Sequence, residues 1–126
     1  MMADEQEILD ALDGLSAGFN SHDIDAIMGF FADDCSLDLP RGSEPHGTRY
    51  VGREEVRRGI MSRFDTTPDI AYSEIENFAC ESTGMSKWLL TGTTQNGVQV
   101  RVRGCDFYTF RDGKVTRKDS YWKIVV

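Results

Sequence analysis

The sequence predicts an α+β fold in which three helices come first and pack on one face of an antiparallel sheet. Two observations support this prediction. Up to Phe64, three segments carry apolar residues at helical spacing. From Asp69 onward, apolar and polar residues alternate between short turn sequences, as in strands. A chain of 126 residues is long enough for one hydrophobic core, so a single domain over residues 1–126 is expected.

The first two helices are separated by a short polar break. The first is predicted over Asp4–Phe19, with a buried stripe formed by Ile8, Leu9, Leu12, Leu15 and Phe19. The segment 20–23 interrupts this pattern and supplies capping residues for a second helix. That helix is predicted to run to about Ala32, with inward residues Ile24, Ile27, Met28 and Phe31. His22 lies in the break, where a capping or surface role is expected.

A strand and a long loop precede the third helix. Apolar residues alternate with polar ones from Cys35 to Leu39, and Pro40 ends the predicted strand. The following loop, 41–48, contains His46 and leads to Tyr50. Long loops in small domains often line a site, so His46 and Tyr50 are candidate ligand contacts. Gly52 then caps a helix over Arg53–Phe64, with inward residues Val56, Ile60 and Phe64.

Four long strands are predicted after Asp69. The alternation in the first of them slips near Glu74 and Ile75, which indicates a β-bulge. Turn sequences at 82–84, 95–97 and 111–113 separate the strands, and the last strand continues to Val126.

The strand Val98–Phe110 carries the most informative pattern in the chain. Its even-numbered positions form an apolar face that contains one carboxylate, Asp106. A carboxylate on a buried face must be paired, protonated or functional, because an unpaired buried charge is costly. The strand therefore predicts a cavity with one acid inside it.

Turn lengths decide which residues share this face. A two-residue loop at Asn96-Gly97 would place Lys87 opposite Asp106. A three-residue loop instead places Trp88 opposite Gly104 and Leu90 opposite Val102, and this register is preferred because the indole covers the glycine. The same loop type at 111–113 predicts Lys118 opposite Asp106.

The predicted cavity lining follows from these registers. It consists of Trp88, Leu90, Val102, Asp106, Tyr108, Lys118, Ser120 and Trp122. Two interpretations of Asp106 and Lys118 stay open at this point. They form either an internal ion pair that only fixes the strand register, or a polar cluster with acid–base capacity in an apolar pocket.

The opposite face of the sheet is mixed in character. The apolar residues Phe107, Val115, Tyr121 and Val125 are predicted there beside Arg101, Arg103, Arg117 and Asp119. A face of this composition suits a homodimer interface.

Composition excludes several function classes. A net charge of −7 argues against nucleic acid as a partner, and the sequence contains no apolar run of 18 residues that could cross a membrane. The acidic start, MMADEQEILD, lacks the features of a signal peptide, and three cysteines without metal-like spacing suggest free thiols in the cytoplasm. With only two histidines, neither a metal site nor a metal cofactor is expected.

Two segments resemble the nuclear transport factor 2-like superfamily, in its SnoaL-like and ketosteroid-isomerase-like branch. They are FNSHDIDAIMGFFADDCSLDLPRGSEP (19–45) and DFYTFRDGKVTRKDSYWK (106–123). The resemblance covers nearly the whole chain. It implies a cone-shaped, strongly curved sheet packed on three helices around a deep pocket, commonly in a dimer. Members of this superfamily include isomerases, polyketide cyclases, dehydratases, an epoxide hydrolase and non-catalytic binders, so the fold alone does not define function.

The resemblance to the ketosteroid isomerases carries over to only part of the site. Asp106 aligns with their protonated aspartic acid, which helps to hold the developing oxyanion. Leu39 stands at the position of their general-base aspartate, and Leu15 at that of their oxyanion-hole tyrosine. Asp38 is adjacent to Leu39, but strand alternation points it away from the core.

These features predict a small-molecule enzyme that binds a hydrophobic, carbonyl-bearing ligand without an organic cofactor or metal. Asp106 would carry out proton transfer, as one pocket aspartate does in the polyketide-cyclase relatives, with Lys118, Tyr108 or His46 as polarising partner. Tyr50, Trp88, Ser120 and Trp122 complete the predicted ligand contacts. The alternative is a non-catalytic binding module or accessory dimer, in which Asp106 and Lys118 neutralise each other.

Overall fold

A computed structural model describes residues 4–126 and confirms the predicted α+β class. Three helices, α1 (Glu5–Ser21), α2 (Ile24–Met28) and α3 (Arg53–Thr66), pack on a curved, six-stranded mixed sheet. The strands are β1 (Phe31–Asp38), β2 (Arg49–Val51), β3 (Ala71–Cys80), β4 (Thr83–Thr93), β5 (Gln99–Arg111) and β6 (Lys114–Trp122). Their order in the sheet is β2-β1-β6-β5-β4-β3. Within the described residues, no helix is both long enough and apolar enough to cross a membrane.

The helices begin and end at the predicted polar breaks, except at the end of α2. Asp4 caps α1 by accepting a hydrogen bond from the Gln6 amide, and His22 ends it in a left-handed conformation. The predicted extension of α2 to Ala32 is wrong, because the helix ends at Met28 and Phe31 begins β1. Phe31 is buried in both arrangements, so its helical spacing from Met28 could not reveal the change of element.

The edge of the sheet next to β1 differs from the expected antiparallel arrangement. β1 runs parallel to β6, and the short strand β2, which the sequence pattern did not reveal, pairs with its other side. Tyr50 lies in β2 opposite Leu37. As a result, loop 41–48 connects two neighbouring strands at the sheet edge.

The predicted register between β4 and β5 is confirmed. Trp88 lies opposite Gly104, and Leu90 lies opposite Val102. A side chain at position 104 would meet the backbone oxygen of Tyr121 and the indole of Trp88, so only glycine fits there. The predicted irregularity in β3 is also present, as a register shift between Ser73 and Glu76.

The predicted register between β5 and β6 is wrong by two residues. Asp106 lies opposite Ser120, and Lys118 lies opposite Tyr108. Asp112 and Gly113, both at positive φ, form a two-residue turn instead of a three-residue loop, and a further register shift follows opposite Thr109 and Phe110. Because the total change is two residues, Lys118 still points to the predicted face.

The same register shift moves Val115 to the other side of the sheet. Val115 was predicted on the outer face, but it is fully buried in the core and lies opposite Phe110. Phe107 and Tyr121 do lie on the outer face, where they are 42% and 54% exposed and their rings meet edge to face at 5.7 Å.

Asp38 lies on the opposite side of β1 from Leu37, as the alternation predicts, but its carboxylate is buried. The Arg49 side chain covers it, with Nε donating to Oδ1 at 2.7 Å and Nη2 donating to Oδ2 at 2.9 Å. These hydrogen bonds lower the pKa of Asp38. Asp38 is therefore held in an ion pair outside the predicted cavity.

Candidate functional site

Asp106 lies in the middle of β5, on the sheet face that the helices cover, and is 5% exposed. Three side chains donate hydrogen bonds to its carboxylate. Trp88 Nε1 donates to Oδ2 at 2.9 Å, Lys118 Nζ donates to Oδ1 at 3.0 Å, and Ser120 Oγ donates to Oδ1 at 2.5 Å. All three donors were among the residues predicted from the sequence to line the cavity.

Asp106, Lys118 and Ser120 form a closed cluster. In addition to their bonds to Asp106, Lys118 Nζ donates to Ser120 Oγ at 2.9 Å. Lys118 is 7% exposed, so the ion pair is shielded from water. The carboxylate of Asp106 and the ammonium of Lys118 therefore form a buried ion pair.

The cluster keeps two unused hydrogen-bonding positions. Oδ2 of Asp106 accepts only the Trp88 bond, although a carboxylate oxygen can accept two. Lys118 uses two of its three N–H groups and lies near the Phe19 and Tyr108 rings, at 5.3 and 5.9 Å from their centroids. The site therefore combines a possible proton acceptor with a possible donor to a developing negative charge.

Two small cavities flank Asp106, and each has a volume of about 10 Å³, enough for roughly one water molecule. The first is lined by Leu12, Leu15, Ser16, Phe19, Tyr72, Ile75, Ser86, Trp88, Asp106 and Tyr108. The second is lined by Phe19, Leu37, Leu39, Gly59, Ile60, Arg63, Tyr72, Trp88, Asp106, Lys118, Ser120 and Trp122. Phe19, Tyr72, Trp88 and Asp106 line both cavities, and so divide one internal space into two.

The hydroxyl groups of two tyrosines beside Asp106 lose their protons less readily than usual. Burial, together with the nearby charge of Asp106, raises the pKa values of Tyr72 and Tyr108. Both hydroxyls therefore stay protonated at neutral pH. They can donate hydrogen bonds to a ligand but do not act as bases.

Several predicted residues lie elsewhere. His46 is exposed in loop 41–48 and lines neither cavity. Tyr50 packs near Gly59 of α3, outside both cavity linings. Leu90 and Val102 are buried in the core without facing a cavity.

Sequence reasoning missed Arg63 and Tyr72. Arg63 lies seven residues after Val56 and three after Ile60, so helical spacing alone places it on the buried face of α3. Tyr72 lies in β3 just before the bulge, and its ring contacts Trp88 edge to face at 5.1 Å. A polar residue on an apolar helix stripe was the signal that could have identified Arg63.

The described part of the chain contains no group of three or more His, Cys, Asp or Glu side chains arranged to hold a metal ion. His22, for its part, stacks on the Phe64 ring, and its Nε2 lies 2.7 Å from the Ile70 carbonyl oxygen. His22 caps the end of α1, as expected, and these contacts also pack it against α3 and the segment that leads to β3.

Solved structures with the same fold cover nearly the whole chain. A provisionally assigned polyketide cyclase from Xanthomonas campestris pv. campestris is 22% identical, with a TM-score of 0.85, and the match covers 96% of this chain and 93% of that protein. TerC, crystallised with polyporic acid, is 18% identical, with a TM-score of 0.80, and the match covers 93% of this chain and 92% of TerC. A provisionally assigned ketosteroid isomerase from Kribbella flavida is 18% identical, with a TM-score of 0.78, and the match covers 98% of this chain and 82% of that protein.

At these identities the solved structures establish the fold alone. Curated proteins gave no significant match. The family model of the SnoaL-like domain matches residues 12–118, which include α2, α3, the strands β1 to β5, and parts of α1 and β6. The chain therefore belongs to the SnoaL-like domain family.

Proposed function

We propose that this protein is a proton-transfer enzyme of the isomerase, cyclase or dehydratase type that acts on a small hydrophobic carbonyl compound. The observation that carries the proposal is a buried carboxylate, Asp106, with an unused acceptor position on Oδ2 between two cavities. The ammonium of Lys118 is next to it, 3.0 Å from Oδ1. Base and electrophile thus lie side by side in a site shielded from water.

The proposed step begins with removal of a proton from the carbon next to the ligand's carbonyl group. The C–H bond breaks, the proton moves to Oδ2 of Asp106, and the electron pair moves to the carbonyl oxygen as an enolate. The free N–H of Lys118 stabilises this negative charge. In a β,γ-unsaturated ketone the enolate is conjugated with the double bond, and return of the proton from Oδ2 to the γ-carbon completes an isomerisation. In a ring closure the enolate carbon instead attacks a second carbonyl carbon, a C–C bond forms, and the resulting alkoxide takes the proton from Oδ2.

Ligand entry requires side chains to move. Each cavity holds about one water molecule, so a carbonyl compound must displace the rings of Phe19 and Tyr72 that separate the two. The first cavity offers the apolar residues Leu12, Leu15 and Ile75 as a wall for a hydrophobic ligand. TerC, which has the same fold, was crystallised with polyporic acid.

Hydrogen–deuterium exchange tests the chemistry without a known substrate. Wild-type protein is expected to accelerate deuterium incorporation next to the carbonyl in one or more members of a panel of cyclic enones and aryl ketones. Asp106→Asn removes the base and should slow this exchange at least about a hundredfold, as measured by proton NMR in D2O. Asp119→Asn, on the outer face of β6, is the matched control and should keep the wild-type rate.

A second candidate function, a non-catalytic binding module, is favoured by one observation. The charge of Asp106 is already balanced by Lys118, and a neutralised pair can serve simply to line a binding pocket. An exchange rate that Asp106→Asn leaves unchanged in a folded, ligand-binding protein would contradict the enzymatic proposal and support this alternative.

We further propose that the protein forms a homodimer through the outer face of the sheet. An apolar strip crosses neighbouring strands there, because Met85 lies opposite both Phe78 and Phe107. Phe78 and Phe107 are 49% and 42% exposed. Arg101 and Arg103 lie on the same side of β5 as Phe107, so the strip has the polar rim that interfaces carry.

Charge inserted into this strip is expected to separate the subunits. Phe107→Glu should sediment as a monomer at concentrations where the wild type is a dimer, since burying the carboxylate would be too costly. Val98→Glu, at another exposed apolar position next to the start of β5, should leave the dimer intact. A monomeric wild type, or a dimeric Phe107→Glu variant, in analytical ultracentrifugation would rule out this interface.

A further inference from the structure

Arg63 is a charged residue of the candidate site that has no role in the proposed proton transfer. It projects from α3 into the lining of the second cavity, which it shares with Asp106 and Lys118. Its guanidinium carbon lies 4.4 Å from the centre of the Trp122 ring. The guanidinium therefore lies over an indole at the wall of the cavity, within the range of a cation–π contact.

Other arginines of the chain show how this cation differs. Arg49, Arg57 and Arg111 each pair with a carboxylate at 2.6–2.8 Å. Arg63 is partly buried, yet within residues 4–126 it forms no ion pair. In a chain with 21 acidic and 14 basic residues, an arginine without a carboxylate partner at a buried position calls for a specific explanation.

The charges around the second cavity do not cancel. Lys118 already neutralises Asp106, so the positive charge of Arg63 is left over. Burial lowers the pKa of Arg63, and the opposing effect of Tyr72 and Asp106 offsets this only in part.

We infer that Arg63 is a specificity-determining residue that binds a carboxylate of the ligand, so that the hydrophobic carbonyl compound is an organic acid. This inference rests on the proposed function. A carboxylate on the edge of the guanidinium would accept two parallel hydrogen bonds and supply the missing negative charge. The ligand's apolar part would then extend along Trp122 and Phe19 toward Asp106.

Two matched pairs of compounds test the inference. In each pair, benzoate with acetophenone and 2-naphthoate with 2-acetonaphthone, the aromatic ring is the same and a carboxylate replaces an uncharged acetyl group of similar size. The two tryptophans, Trp88 and Trp122, both line the second cavity, so their indole N–H signals in NMR titrations report binding. We expect wild-type protein to bind each carboxylate at least about tenfold more tightly than its ketone, as for a charge-assisted hydrogen bond.

Substitutions then assign this preference to one residue. Arg63→Gln should abolish the preference for the carboxylates and leave ketone affinity unchanged, whereas Arg63→Lys should keep part of it. Arg58→Gln, an exposed position on the same helix, is the matched control and should keep the wild-type preference.

The outcomes separate this inference from the proposed function. Ketone binding without a carboxylate preference in the wild type, or a preference that survives Arg63→Gln, would overturn the role of Arg63 and leave the carbonyl pocket intact. Equal loss of ketone and carboxylate binding in Arg63→Gln would show a structural role instead. If neither kind of compound binds the wild type, the proposed pocket and this inference both fail.

Discussion

Replacing Asp106 with alanine is expected to lower the free energy of unfolding by roughly 3–5 kcal/mol, because the change leaves a buried ammonium without its partner. Lys118 is 7% exposed, and its charge is balanced only by the carboxylate 3.0 Å away. Ser120 would also lose its bond to Asp106. Urea denaturation followed by circular dichroism measures the change, since a chain of this size is expected to unfold in one step.

A double variant separates the net contribution of the ion pair to the free energy of unfolding from the penalty for leaving one buried charge without a partner. Asp106→Leu combined with Lys118→Met removes both charges and should be far more stable than either single variant. Asp119→Ala, on the outer face, is the control and should change stability by less than about 0.5 kcal/mol. If Asp106→Ala costs no more than Asp119→Ala, the pair is not shielded from water as the geometry indicates.

The double variant also bears on function. A buried ion pair seldom adds stability over apolar residues of similar volume, so Asp106→Leu/Lys118→Met should match or exceed the stability of the wild type. Such a result would mean that the fold does not need the pair. Retention of two charges in a core that is more stable without them is the expected trade-off at a functional site.

Much of the fold was predictable because its signals are local. The stripes of α1 and α3 and the cap residues around them lie within single helices. The pairing of β4 with β5 was predictable because only one register puts Trp88 over Gly104 and keeps the apolar face continuous. In each of these elements, local sequence and tertiary packing favour the same structure.

The errors concern pairings that local sequence does not encode. Nothing within β1 indicates that it lies parallel to β6, because these strands are far apart in the chain. The register of β6 depends on an irregularity near Thr116 for which no glycine or other marker is present. Strand alternation still identified the correct faces of β5, and therefore Asp106. Lys118 keeps its predicted face because the two successive one-residue shifts in β6 restore the original side.

Some residues of the candidate site were predictable from local strand patterns, whereas the contacts of Arg63 depend on tertiary packing. Asp106, Trp88 and Ser120 were predictable from one strand face and its neighbours. Arg63 belongs to α3, and its contact with Trp122 depends on how that helix lies across the sheet. Helix-to-sheet packing is set by many weak contacts at once, so the sequence could place Arg63 on a face of α3 but could not name its partner.

Replacing Trp88 with alanine is expected to destabilise the protein by about 3–5 kcal/mol, as is usual for a buried aromatic side chain. The indole packs edge to face against Tyr72 at 5.1 Å and donates a hydrogen bond to Asp106. It also lines both cavities, so its removal should join them into one larger apolar space. Added indole should then bind in this space and restore part of the lost stability, in proportion to its concentration.

Two further variants isolate the reasons for this effect. Trp122→Ala removes an indole that is only partly buried, so it should cost less and gain no more from added indole than the wild type does. Trp88→Phe keeps most of the packing but loses the donor to Asp106, so its cost should reflect that bond, about 1.5–3 kcal/mol for a charged acceptor. Thermal unfolding with and without indole provides the comparison. If Trp88→Ala were no less stable than Trp122→Ala and did not respond to indole, removal of Trp88 would not join the two cavities, and the rings of Phe19 and Tyr72 would be enough to separate them.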